Sequence, residues 1–164
     1  MPTVNYAGRF LGHRGFAAKL YWDMVPCQAG AFDPENCLIC VTGPVAGFTA
    51  LAGNRWQVCG KSPAMEPEAF SYANLGERWG VWLKCAGYDG LVVQGKSEKP
   101  VYLLINNDTV EIRDASSIWG RSTFEAGDSL KAELGKDVSV LTIGPAAENL
   151  VSFATLLTDD GQVR

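Results

Sequence analysis

Apolar positions recur at helical spacing over residues 15–24, where Ala17, Leu20, Tyr21 and Met24 fall at i, i+3, i+4 and i+7. That spacing predicts a helix with one buried face, stopped by Pro26. Residues 26–36 read as a loop ending in Asp33-Pro34-Glu35-Asn36. The apolar run CLICVT at 37–42 predicts a buried strand, and RWQVCG at 55–60 alternates like a second. Turn residues fill the stretch from Gly43-Pro44 to Gly53. Residues 61–76 lack a clear period, and Pro63 and Pro67 break any helix there. Over 77–86 the helical spacing returns, with Trp79, Trp82, Leu83 and Ala86 on one expected core face and Gly87 suited to the residue after the helix.

Strands are expected near 90–95 and 100–106. Asn106-Asn107-Asp108 then turns the chain into a strand at 109–113, a hairpin signal. Ser122 and Glu125 have capping-box spacing at the start of a helix over 123–134, and Gly135 ends it. A strand at 137–143 and an extended segment at 151–158 complete the pattern. The sum predicts an α+β fold, β-rich, with mixed or antiparallel sheets and a few short helices. No repeat, low-complexity tract or linker divides the 164 residues, so a single domain over 1–164 is expected.

Composition narrows the function. Eighteen acidic residues against 14 basic ones, with no basic stripe, disfavour a nucleic-acid binder. No apolar run approaches the roughly 20 residues that span a bilayer. MPTVNYAGRF lacks the apolar core of a signal peptide, so a cytoplasmic location is expected. The five cysteines are an odd number, which favours reduced thiols. Cys37 and Cys40 form a CxxC, yet zinc usually needs a second pair or histidines, and His13 is the sole histidine. Small apolar strand residues are the plainer reading of both cysteines. A thiol-redox role is the alternative.

His13 is also the sole candidate base for a serine or cysteine nucleophile. The sequence has no GxSxG, P-loop, GxGxxG, HExxH or EF-hand pattern. Chemistry here therefore points to a borrowed cofactor, gripped by the protein. Gly12-His13-Arg14-Gly15 opens the first helix, where free N–H groups attract phosphate, although an ordinary helix start with a solvent-facing arginine fits the pattern as well. Arg55 follows a loop of small residues that lets backbone approach a ligand, or is a surface arginine at a strand start. Asn74 in SYANLGERWG either caps the Trp79 helix or presents a carbonyl to a ligand or cation. Asp89 reads as a turn residue. Glu148 and Asn149 read as caps or partners of a neighbouring segment, with a catalytic acid at Glu148 as the lesser reading.

The ordered blocks FLGHRGFAAKL, ENCLICVTGP, GNRWQV, GKSP, YANLG, KCAGYDGLVVQGKSEKPVYLLI, VEIRDASSIWG and IGPAAENLVSFATLL resemble the N-terminal domain of the tungsten-dependent aldehyde ferredoxin oxidoreductases. The resemblance runs from about residue 7 to about residue 160. It implies two sheets forming a base for a tungsten (or molybdenum) bis-pyranopterin, with magnesium bridging the pterin phosphates. An iron–sulfur cluster, placed by the resemblance in a missing domain or partner, would pass electrons to ferredoxin as aldehyde and water become carboxylic acid. Related members act on other substrates, including a benzoyl-CoA-reducing branch, so the resemblance implies an aldehyde or a related substrate. By motif, Arg55 matches a pterin-contacting arginine, Asn74 the asparagine that helps hold magnesium, and Gly76 a backbone contact in the same loop. Arg14 and Gly15 match an Arg-Gly pair at the first helix.

The chain also departs from that pattern. It lacks the β-hairpin that usually opens the family and the Ala-Gly-Arg-Gly-Gly segment that completes the phosphate site. Glu77 and Ala147 stand where glycine is usual. A portion of such an enzyme, without turnover alone and needing a partner chain or self-association, is the expected role. The rival is a cofactor-free binding or scaffold domain that keeps the fold.

Overall fold

Successive side chains of a strand point to opposite faces, so Cys37, Ile39 and Val41 of CLICVT share one face and Leu38, Cys40 and Thr42 the other. In the computed structural model this run is β1 (Cys37–Thr42). The structure describes residues 4–48 and 50–158, and the chain forms two compact units, Met1–Lys96 and Ser97–Arg164.

The first unit is built on a four-stranded antiparallel sheet. Its other strands are β2 (Trp56–Ser62), β3 (Ala69–Leu75) and β4 (Gly90–Gln94), in the order β3-β2-β1-β4. A four-residue turn of helix, α1 (Val4–Ala7), precedes α2 (His13–Met24). Phe16, Ala17 and Leu20 of α2 pack on Cys37, Ile39, Val41 and Cys59, and Tyr21 and Met24 flank this core as the sequence periodicity implies. Near the N-terminal part of α2, the Cys59 thiol donates to the Ala17 carbonyl at 3.8 Å. Beyond its C-terminus, Lys61 Nζ donates to the carbonyls of Cys27 and Ala29. The loop before β1 is tied down by Asn36, whose carboxamide donates to the Ala31 and Lys61 carbonyls and accepts from the Cys37 and Lys61 N–H groups.

α3 (Trp79–Cys85) buries Gly80 and Leu83. Trp79 stacks against fully buried Trp56, ring centroids 4.4 Å apart. Gly80 permits this: a Cβ there would lie 2.7 Å from the Trp56 side chain. Trp82, expected on the core face, is instead 48% exposed. The helix is short, and its inward face is set by the close approach at Gly80. The Asp89 carbonyl accepts from the Thr42 N–H and hydroxyl, and its carboxylate pairs with Lys84, so Asp89 does serve the turn into β4.

The second unit holds an antiparallel ribbon of β5 (Val101–Asn106) and β6 (Thr109–Asp114), turned through Asn107 in the left-handed region (φ 52°). α4 (Thr123–Leu134) begins with the full capping box: the Ser122 hydroxyl accepts from the Glu125 N–H, and the Glu125 carboxylate accepts from the Ser122 N–H. β7 (Leu141–Thr142) and β8 (Leu157–Thr158) pair antiparallel, with α5 (Pro145–Glu148) between them in sequence. Both Glu148 carboxylate oxygens accept from the Gly120 N–H at 3.0 Å, so this carboxylate ties down the neighbouring segment.

The α+β class with antiparallel sheets stands as expected, while three local expectations shift. β3 occupies part of a stretch without visible period, because an edge strand exposed on both faces near its end (Tyr72, Ala73 and Asn74 are all exposed) needs no apolar alternation. The strand expected over 137–143 contracts to two residues, and of 151–158 only Leu157–Thr158 pairs. Asn74 lies within β3 and does not cap α3, whose N-cap is Arg78.

Candidate functional site

Three of the residues singled out in the sequence meet at one end of the β2–β3 pair. Trp56 pairs with Leu75 and Gln57 with Asn74, so Arg55, just before β2, and Gly76, just after β3, leave the sheet at the same end. The Trp56 indole N–H donates to the Gly76 carbonyl at 2.9 Å, fixing that corner. Arg55 and Asn74 are both exposed. Among the described residues, neither side chain has a hydrogen-bond or ion-pair partner.

Arg14 approaches from α2. Its guanidinium carbon lies 4.3 Å from the centroid of Tyr72, two residues from Asn74 on the same face of β3. This cation–π contact holds the charge beside Asn74 without consuming its hydrogen-bond donors. Gly15 has a different function locally: a Cβ there would come within 3.3 Å of the Phe10 ring, so its smallness serves packing of the segment before α2. Gly12, the N-cap, sits at φ 121°, ψ −167°, a backbone conformation open to glycine alone, and no side chain caps the helix. Among the described residues, therefore, no capping side chain serves the first turn of α2.

The loop after β3 carries an unusual residue. Glu77 is held at φ 66°, in the left-handed region where glycine is at ease and a side chain costs about 1 kcal/mol. Gly76 beside it is unstrained, and a Cβ there would touch nothing within 4 Å. Open space at Gly76, an unpartnered guanidinium at Arg55 and an unpartnered carboxamide at Asn74 make a surface that can accept an anionic, hydrogen-bonding group.

A family model described as "Aldehyde ferredoxin oxidoreductase, N-terminal domain" matches residues 2–164. This chain belongs to the aldehyde ferredoxin oxidoreductase family. It is 44% identical over 154 residues to the tungsten-containing aldehyde ferredoxin oxidoreductase of Thermococcus kodakarensis, a match covering 93% of this chain and 25% of that protein. It is 34% identical over 166 residues to the WOR-like subunit of an aliphatic sulfonate oxidoreductase of Pyrococcus furiosus, covering 92% and 26%. Among solved structures, the active-site complex BamBC of benzoyl coenzyme A reductase, in complex with 1,5-dienoyl-CoA, superposes with a TM-score of 0.88 at 38% identity, covering 94% of this chain and 24% of that one. The chain spans about a quarter of the length of these relatives.

In this aldehyde ferredoxin oxidoreductase N-terminal domain Cys37, Cys40 and Cys59 are buried, whereas Cys27 and Cys85 are exposed. Cys37 and Cys40 lie on opposite faces of β1, paired in register with Gln94 and Leu91, so one ion or disulfide cannot join them within the strand. Burial pushes the Cys40 and Cys59 thiols up to about 12 and raises Cys37 as well. Among the described residues, no three histidine, cysteine or carboxylate side chains come together as a metal site. No helix of the described residues is long and apolar enough to cross a membrane.

Two residues carry structural weight that sequence reading passed over. Tyr72 provides the ring under Arg14. Gln57 is fully buried between Trp56 and Val58. The signal for Gln57 was present: a carboxamide at an inward position of an apolar strand is unusual and needs a partner.

Proposed function

We propose that this chain is the cofactor-holding N-terminal portion of a tungsten (or molybdenum) oxidoreductase, and that it lacks turnover by itself. The observation that carries this reading is the grouping of Arg55, Asn74 and Gly76 at one sheet end, with the first two exposed and unpartnered. These residues fit a phosphorylated bis-pyranopterin. Arg55 offers a planar fork to a phosphate or ring edge. The Asn74 carboxamide oxygen is a hard donor suited to magnesium between phosphates, and Gly76 leaves room for close backbone approach. Arg14, fixed over Tyr72, adds positive charge to the same face.

When bound, the metal–pterin group supplies oxygen transfer and electron acceptance, converting an aldehyde or related substrate and water to the acid. The protein's contribution is to orient the group and balance its charge. This reading assigns the iron–sulfur cluster, the route to ferredoxin and most of the substrate chamber to a partner chain or further domains; its support is that the chain spans about a quarter of the relatives' length. A soluble cytoplasmic setting follows from this reading.

The test is to purify the chain together with its partners and measure tungsten, molybdenum and released pterin. Arg55→Ala and Asn74→Ala should each lower pterin content at least several-fold while leaving the fold intact. Metal-free complexes, or full pterin retention in both variants, would reject this reading. They would leave the second one, a scaffold without cofactor. Its specific support is Glu77, which brings a carboxylate beside the expected phosphates, where like charges repel.

A further inference from the structure

Gln57 is the largest polar side chain of the core. It is 0% exposed, yet among the described residues neither its carboxamide nitrogen nor its oxygen has a hydrogen-bond partner. His13 Nε2 is also buried and unpartnered. The residues that bear these atoms sit on elements that meet, α2 and β2. Along β2, Cys59 meets α2 at Ala17. One residue beyond Gln57 in the other direction, Trp56 pairs with Thr42, and Gly12 lies against Thr42 and Pro44. Gln57 shares the face of Cys59 and falls between these two contacts. It therefore underlies the first turn of α2, the turn that begins with His13.

A buried carboxamide and imidazole nitrogen left without partners are costly, and native interiors fill such positions with ordered water or ligand. A carboxamide presents a donor and an acceptor side by side, so its partner must do the same. The surroundings point outward to the candidate site: Asn74 is the direct cross-strand neighbour of Gln57, and Arg14 is the next residue after His13. His13 is held at φ 50° directly after Gly12 at φ 121°, so the backbone above Gln57 departs from helix geometry.

We propose that Gln57 and His13 form an internal hydrogen-bonding seat beneath the first turn of α2, which takes one small donor–acceptor group. That group is an ordered water or the polar edge of a bound pterin, whose lactam offers the same donor–acceptor pair. The pterin arm rests on the proposed function; the water arm does not. In both cases Gln57 is a positioning residue that ties the Arg14 turn to β2, the strand that Arg55 precedes.

The test is Gln57→Met, which keeps length and removes both polar atoms, measured in the chain purified with its partners and in the chain freed of metal and pterin. A dry, unfilled seat would make this substitution stabilising, because it removes two buried orphans. An occupied seat makes it destabilising, with Tm lower by about 2–4 °C. A fall in both forms identifies water. A fall confined to the loaded form, together with reduced pterin content, identifies the cofactor. An unchanged or higher Tm in both forms overturns the proposal. Should the variant fail to fold, a crystal structure of the unsubstituted protein decides: ordered non-protein density bonded to the Gln57 carboxamide and His13 Nε2 supports the seat, and a dry contact overturns it. If no cofactor can be loaded at all, the proposed function fails while the cofactor-free measurement still reports on the seat.

Discussion

The two units of this chain solve the same packing problem to different degrees. The first lays α2 across a four-stranded sheet and fully buries Trp56, Ile39 and Gln57. The second has two-stranded pairs, and among its described residues the buried apolar side chains are Ala115, Ala126, Leu130, Val140 and Leu157. Both units leave large apolar side chains in solvent, Leu11 and Trp22 in the first and Ile112 and Phe153 in the second, so the difference lies in the sheet and its core. A two-stranded ribbon is marginal in water unless something packs on it. All the candidate ligand-facing residues lie in the first unit, on elements whose register is fixed by a core. That is the arrangement a site needs if Arg55 and Asn74 are to hold a rigid group within a fraction of an ångström.

Truncation should expose the contrast most sharply. Ile39→Ala removes a side chain enclosed between α2 and the sheet and should cost about 2–5 kcal/mol. Ile112→Ala, on the open ribbon, should cost under about 0.5 kcal/mol. Chemical denaturation of the two variants checks this; equal losses would mean that the ribbon is as well packed as the sheet.

Smaller effects are expected from backbone and caps. Ser122→Ala removes the capping box of α4 and should cost about 1 kcal/mol. Glu77→Gly, in the first unit, should act in the opposite direction and stabilise by under about 1 kcal/mol, because relief of a left-handed side chain outweighs the added freedom of the unfolded chain. A loss on Glu77→Gly would show that the interactions of the carboxylate outweigh the strain. If the scaffold reading is wrong, the same variant should also retain at least as much pterin as the unsubstituted protein.

The thiols offer the gentlest probe. At pH 8, exposed Cys27 and Cys85 should react quickly with a thiol reagent, whereas Cys40 and Cys59 should stay silent until unfolding. Since folding raises these two pKa values from 9 to about 12, the unfolded chain loses their protons first as pH rises. Their contribution to stability is complete below about pH 9 and is lost progressively towards pH 12. Rapid native labelling at four sites, or stability flat across that range, would remove these thiols from the interior.

Much of the molecule is legible in the order of its residues, for a physical reason. The Ser122–Glu125 cap, the stop of α2 before Pro26, the turn at Asn107 and the apolar stretch of β1 depend on neighbours a few residues apart, and the family blocks are equally contiguous. Tertiary structure decided the rest. β3 was invisible because an exposed edge strand is selected by its pairing partner and not by its own period. Without that strand the nearness of Asn74 to Gln57 and the shared corner of Arg55 and Gly76 could not be seen, since the register joins residues 17 and 21 apart in sequence. The exposure of Trp82 turned on one close approach between Gly80 and Trp56. Local forces therefore named the elements and the family. Long-range register chose which side chains face one another, and the partnerless carboxamide of Gln57 exists only at that level.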